Sequence, residues 1–136
     1  INRISQPLLD RIDMCVATIQ IPFEELNGEP KEETSAQIRE RVMEVHERMQ
    51  YRFREENFLF NSQIPASKIK EYCKLDLKQE KYMEQTYKKL NLTARSYHKI
   101  LKVARTIADM DKSDMIQMKH LNEAICYRSA DKQLWR

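Results

Sequence analysis

Glycine is almost absent: Gly28 is the only one in 136 residues. A loop that wraps backbone N–H groups around phosphate needs several glycines, followed by Lys and Ser or Thr. No such loop is present, and Gly28 stands beside an acidic residue. Proline is also scarce, at four. A chain this poor in turn formers reads as helical rather than as many short strands. The three cysteines, Cys15, Cys73 and Cys126, are far apart and lack CxxC spacing. No disulfide framework or zinc site follows, and a reducing, cytoplasmic setting is expected. No apolar run approaches the ~18 residues of a membrane span, so no membrane partner is expected. His46, His98 and His120 lack the HExxH spacing of a metallohydrolase. No metal ligand set and no Ser/His/Asp or Cys/His catalytic set can be assembled from spacing.

Charge and helix formers are what the chain does have. Charged residues make up 33%, hydrophobic ones 41%, and the mean hydropathy is −0.75. Glu, Lys, Arg, Leu, Met and Gln, all good helix formers, are abundant. The length suits one domain with a modest core. The net charge of +3 identifies no partner, but it is unevenly spread. Residues 1–30 carry two basic and five acidic side chains, whereas residues 91–136 carry nine and five. The C-terminal third can face an anion, or it is a solvated basic surface. The chain opens on Ile1, in what looks like the middle of a motif. It is therefore read as part of a longer protein.

Periodicity predicts one strand and a series of helices. Met14–Ile21 is short and β-branched, and Pro22 closes it. A lone strand cannot pair its own edges, so it asks for partners elsewhere. Asn27-Gly28-Glu29-Pro30 reads as a turn. A helix is predicted from Thr34 to about Glu56, opened by a Thr34/Gln37 capping box. Ile38, Val42, Val45, Met49 and Phe53 line one face of it. Phe58, Leu59 and Phe60 form an apolar knot in the loop that follows. A short helix is predicted over Ala66–Cys73, then one capped by Asp76 with Met83, Tyr87 and Leu90 inward. Asn91 suits a left-handed cap. Thr93 caps a helix over Ala94–Met110. The last helix runs from about Met118 to Ser129.

Three places carry candidate chemistry. Arg11 lies between Asp10 and Asp13 in Ile4–Asp13. It reads either as part of a helix-end salt bridge or as an arginine presented at a subunit edge. Arg95 falls in the first turn of its helix, where free N–H groups and the helix dipole attract anions. Its planar, always-charged fork suits phosphate, although it opposes the dipole. The plainer reading is a surface arginine. Lys99 and Lys102 extend Arg95 into a basic stripe on the same face. That stripe can meet nucleic acid phosphates. It lacks interleaved aromatic residues for base stacking, so it also reads as a solvated face.

Five segments together resemble the C-terminal part of the magnesium-chelatase-like AAA+ ATPases, in the ComM/YifB branch of that family. They are Ile4–Asp13, Tyr72-Cys73-Lys74-Leu75, Leu92–Tyr97, Ile100–Asp109, and Glu123-Ala124-Ile125 with Tyr127-Arg128-Ser129. The resemblance covers nearly the whole chain, with the segments in the family's order. The resemblance implies an upstream core with the phosphate loop and the magnesium-binding acids, working as a ring of identical subunits. Arg11 matches the arginine finger, acting in trans on a neighbour's γ-phosphate. Arg95 matches the second sensor arginine, placed by the helical lid on the nucleotide of its own or an adjacent subunit. Gln6 and Asn91 stand where the family usually has glycine, and Pro65 where a capping Ser or Thr is common.

The expected fold is mainly α: a helical bundle, the AAA+ lid, with a short residual strand from a truncated core. Residues 1–30 would be the end of the core, 31–60 a connecting helix and loop, and 61–136 the lid. The expected function is the lid portion of an ATPase that couples ATP hydrolysis to remodelling of a macromolecule, in DNA processing. ATP and magnesium would serve the full-length protein, and this chain alone would bind neither and be inactive. Expected partners are the chain's own core, identical subunits and DNA. The alternative is a stand-alone helical module that binds DNA or protein. Insertion of magnesium into porphyrin is not expected, because no porphyrin or metal site is readable.

Overall fold

The computed structural model describes residues 10–18, 20, 22, 23 and 33–134, with side chains through residue 128. Five α-helices follow one another among these residues: α1 Ser35–Arg52, α2 Ile69–Tyr72, α3 Leu77–Lys89, α4 Ala94–Met110 and α5 Met118–Leu134. Short 3₁₀ turns at Asn61–Gln63 and Ala66–Lys68 lead into α2. The expected turn over 27–30 and the Gln6 position lie outside the described residues.

No strand forms among the described residues, which corrects the expectation for Met14–Ile21. Met14–Thr18 and Gln20 are irregular, and Ile19 and Ile21 lie outside the described residues. A strand needs a ladder partner, and none is present here. The Cys15 N–H instead donates to Tyr127 O at 2.9 Å, tying this segment to α5.

The helix ends follow local chemistry. Thr34 and Gln37 form the capping box of α1, and Asp76 and Gln79 that of α3. Thr93 accepts from the Ser96 N–H at the start of α4. Asn91 adopts φ 47° at the end of α3. The Leu92 N–H reaches back to Tyr87 O at 3.0 Å, closing a Schellman motif. Lys112, with φ 55°, does the same after α4, where the Ser113 N–H donates to Ala108 O at 2.8 Å. Pro65 precedes its 3₁₀ turn without a side-chain cap.

Helix α4 is the axis of the bundle. It packs on α5 most extensively, and also on α1, the 61–63 turn and α2. Ile100, Leu101, Ala104 and Ala108 are buried along it. The two alanines present no bulk, so neighbouring helices approach closely. Val45, Met49, Phe53, Met83, Ile116 and Leu121 complete one core. The predicted stripe of α1 is buried only in its second half: Ile38 and Val42 remain 44% and 42% exposed. All of residues 35–44 are exposed, so the first turns of α1 run beyond their neighbours among the described residues. The helix also stops at Arg52, short of the predicted Glu56. Phe53 turns inward to pack against Phe58 and Tyr72, with ring centroids 4.8 and 5.0 Å away. Glu56 pairs with Lys68 and accepts from the Tyr72 hydroxyl at 2.5 Å.

A buried ionic cluster joins α1 to α4. The Asp109 side chain has no exposure and pairs with both Arg52 and Arg105. Asn61 Nδ2 donates to Asp109 Oδ2 at 2.8 Å. Burial alone would raise the Asp109 pKa. The hydrogen bonds from Arg52 and Asn61 and the charges of Arg105 and Arg52 outweigh it and hold the carboxyl below its ordinary range.

Candidate functional site

Arg95 is the second residue of α4, placed there by the Thr93 cap. Its side chain is exposed and lines a cleft of about 520 Å³ together with Arg11, Ala66, His98, Lys99 and Lys102. The two arginines, 84 positions apart in the chain, thus border one concavity. The lining contains four cations and no carboxylate. Such a lining suits an anion and offers no carboxylate to a magnesium ion. Among the described residues, no group of three or more His, Cys, Asp or Glu side chains could hold a metal.

The acids beside Arg11 are engaged elsewhere. Asp10 pairs with Arg128 at 2.9 Å. Asp13 pairs with Lys99 at 2.7 Å. Among the described residues, neither Arg11 nor Arg95 has a carboxylate partner. The local salt bridge that spacing allowed for Arg11 is therefore not formed. Its backbone is fixed while its side chain stays exposed: Lys99 Nζ donates to Arg11 O at 2.5 Å.

The basic stripe is likewise divided. Lys99 is committed to Asp13 and to the Arg11 carbonyl. Lys102 Nζ donates to Ser62 O at 2.9 Å. Burial holds the Lys102 ammonium below its ordinary pKa, against smaller opposing charges. Both lysines build the cleft wall, which leaves the two guanidinium groups as its cations without a carboxylate partner among the described residues.

Sequence reading assigned no place at the site to Arg128, Ser96 or His98, although Arg128 and Ser96 fall in segments that carry the resemblance. Arg128 is 5% exposed and bonds to Asp10, Ser96 and the Ile12 carbonyl. No local pattern signals a partner more than 80 positions away. Elsewhere, a larger hollow of about 960 Å³ runs along α1 and the end of α4. Its charges are of both signs and mostly paired, as in Arg41–Glu33, Arg48–Asp114 and Lys112–Glu44. It carries no net attraction comparable to that of the basic cleft. No helix among the described residues is long and apolar enough to cross a membrane.

Comparisons with known proteins agree with this architecture. The chain is 41% identical over 130 residues to competence protein ComM of Haemophilus influenzae, covering 95% of this chain and 25% of that protein. It is 38% identical over 138 residues to protein YifB of Escherichia coli, covering 98% of this chain and 26% of that protein. A YifB of Salmonella typhimurium is 38% identical over 136 residues, with 98% and 26% covered. The chain thus spans about a quarter of the length of these curated relatives. The family described as magnesium chelatase, subunit ChlI C-terminal, matches residues 32–128. That span runs from just before α1 to Arg128 and takes in the whole buried core, and the chain belongs to this family.

Proposed function

We propose that this chain is the lid portion of an AAA+ ATPase that works as a ring and remodels a macromolecule in DNA processing. The observation that carries the reading is the shared cleft of Arg11 and Arg95, whose guanidinium groups have no carboxylate partner among the described residues. Two unpaired guanidiniums in one cleft attract the terminal phosphates of a nucleotide. Arg11 supplies charge that stabilises the transition state as the γ-phosphoryl leaves. Arg95 contacts the same phosphate group and transmits its presence along α4 to the bundle. If Arg11 acts in trans, the nucleotide that Arg95 senses is then also the neighbour's. The phosphate loop and magnesium-binding acids belong to the remainder of the protein, so the chain alone does not turn over ATP. A competence protein among the relatives supports the link to DNA.

ATP turnover by the full-length protein tests this. An arginine finger is worth roughly 10³–10⁵ in rate. Arg11→Ala is expected to lower kcat by about 10³ or more, and Arg95→Ala by a smaller but clear factor. Wild-type turnover in Arg95→Ala would remove the sensor role.

The cation-lined cleft also supports a second reading, a helical module that binds DNA phosphates. A steep fall of DNA affinity with salt would favour it. The internal commitments of Lys99 and Lys102 weigh against a free basic stripe and favour the nucleotide.

A further inference from the structure

The cleft is assembled from two stretches far apart in sequence, and a third stretch fastens them together. Arg128, on α5, is buried at 5% exposure. Its Nη2 donates to Asp10 Oδ1 at 2.9 Å and to Ser96 Oγ at 3.0 Å. Its Nη1 donates to Ile12 O at 2.9 Å. Ser96 Oγ donates in turn to Asp10 Oδ1 at 3.1 Å. Asp10 and Ile12 are the neighbours of Arg11 on either side, and Ser96 follows Arg95. One buried guanidinium therefore grips the backbone around one cleft arginine and the helix turn that bears the other.

We propose that Arg128 is a positioning residue that sets how the Arg11 and Arg95 side chains are placed relative to each other. The proposal rests on the nucleotide reading of the cleft. Arg128 does not line the cleft and does not meet phosphate itself. It acts because its planar fork holds three acceptors in fixed directions, which a lysine ammonium cannot reproduce. Three further ties limit motion of the same segment: Lys99 on the Arg11 carbonyl and on Asp13, and the Cys15 N–H on Tyr127 O. The two from Lys99 join it to α4 one turn beyond Arg95, and none of the three engages Ser96 in the turn that carries Arg95. Loss of the fork should let the two guanidiniums drift while the bundle stays folded. A displacement of about 1 Å from productive geometry can lower a rate by about 10².

The test uses the full-length protein with Arg128→Lys and Ser96→Ala, each alone and combined with Arg11→Ala. Steady-state ATP turnover and the affinity for a fluorescent, non-hydrolysable ATP analogue are measured. For Arg128→Lys the expected result is a kcat lowered by about 10- to 100-fold, with analogue affinity within about twofold of wild type. In the Arg11→Ala background the same substitution should have little further effect, because residues that act as a unit are not additive. Ser96→Ala should show the same pattern with a smaller fall, and it carries the test if Arg128→Lys does not fold. Full multiplication of the losses in the double variants would overturn the positioning role alone. Wild-type turnover in both Arg11→Ala and Arg95→Ala would overturn the nucleotide reading, and this proposal with it.

Discussion

Asp109 illustrates how much a single buried charge can decide. Its carboxylate neutralises two guanidiniums, Arg52 from α1 and Arg105 from its own helix, and accepts from Asn61. Breaking a buried pair by removing one partner typically costs about 3–5 kcal/mol, because the other charge is left uncompensated. Asp109→Asn is expected to lose a free energy of that order, read as a lower urea midpoint at unchanged slope. Its folded pKa lies below the ordinary carboxylate value of about 4. Its contribution is therefore fully present above about pH 4 and is lost as pH falls through the folded value. Acid unfolding should begin below about pH 4 in the wild type, and Asp109→Asn should flatten part of that decline. The cleft arginines represent the opposite design: they are exposed and without carboxylate partners among the described residues, which lowers the cost of receiving an anion.

Among the elements, α4 carries the most, and both of its ends are shaped by caps. At its start, Thr93 frees the first turn to present Arg95. At its end, Lys112 takes a left-handed conformation that non-glycine residues adopt at a cost of roughly 1–2 kcal/mol. Glycine removes that strain but loses more entropy on folding. Lys112→Gly is therefore expected to stabilise by up to about 1 kcal/mol, seen as a raised thermal midpoint. Substitution of the equivalent Asn91 by Ala should act in the other direction, by about 1 kcal/mol, since Asn tolerates this conformation and Ala does not. The first turns of α1 behave differently. They are well capped yet leave Ile38 and Val42 substantially exposed, so capping rather than burial holds them within the described chain.

At the scale of the whole molecule, one core closes around α4, and Cys73 reports on it. That thiol is 2% exposed, and burial pushes its pKa up to about 11. The thiolate is the reactive form, so Cys73 should resist alkylation in the folded protein, whereas Cys126 is exposed. Iodoacetamide labelling followed by mass spectrometry should find Cys126 modified early. Cys73 should be modified only at the rate of global opening. Rapid labelling of Cys73 under native conditions would show that the core around α4 opens locally. The same core connects α1, α4 and α5, so the clamp at Arg128 rests on a rigid base.

Much of this was legible from residue order. Capping pairs such as Thr34/Gln37 and Asp76/Gln79 act over three residues, so they mark helix starts without reference to the fold. Asn91 and the apolar spacing within α4 are equally local, and both define elements that form as expected. The scarcity of glycine was enough to exclude a phosphate loop within this chain. Sequence alone also marked Arg11 and Arg95 as candidates. It could not choose their partners, because Asp10 and Asp13 looked like Arg11's own. Only tertiary packing assigned those acids to Arg128 and Lys99, and only packing set α4 beside residues 10–13. Charge pairing depends on distance in space, and a one-dimensional pattern holds that distance only across the few residues of a helical turn.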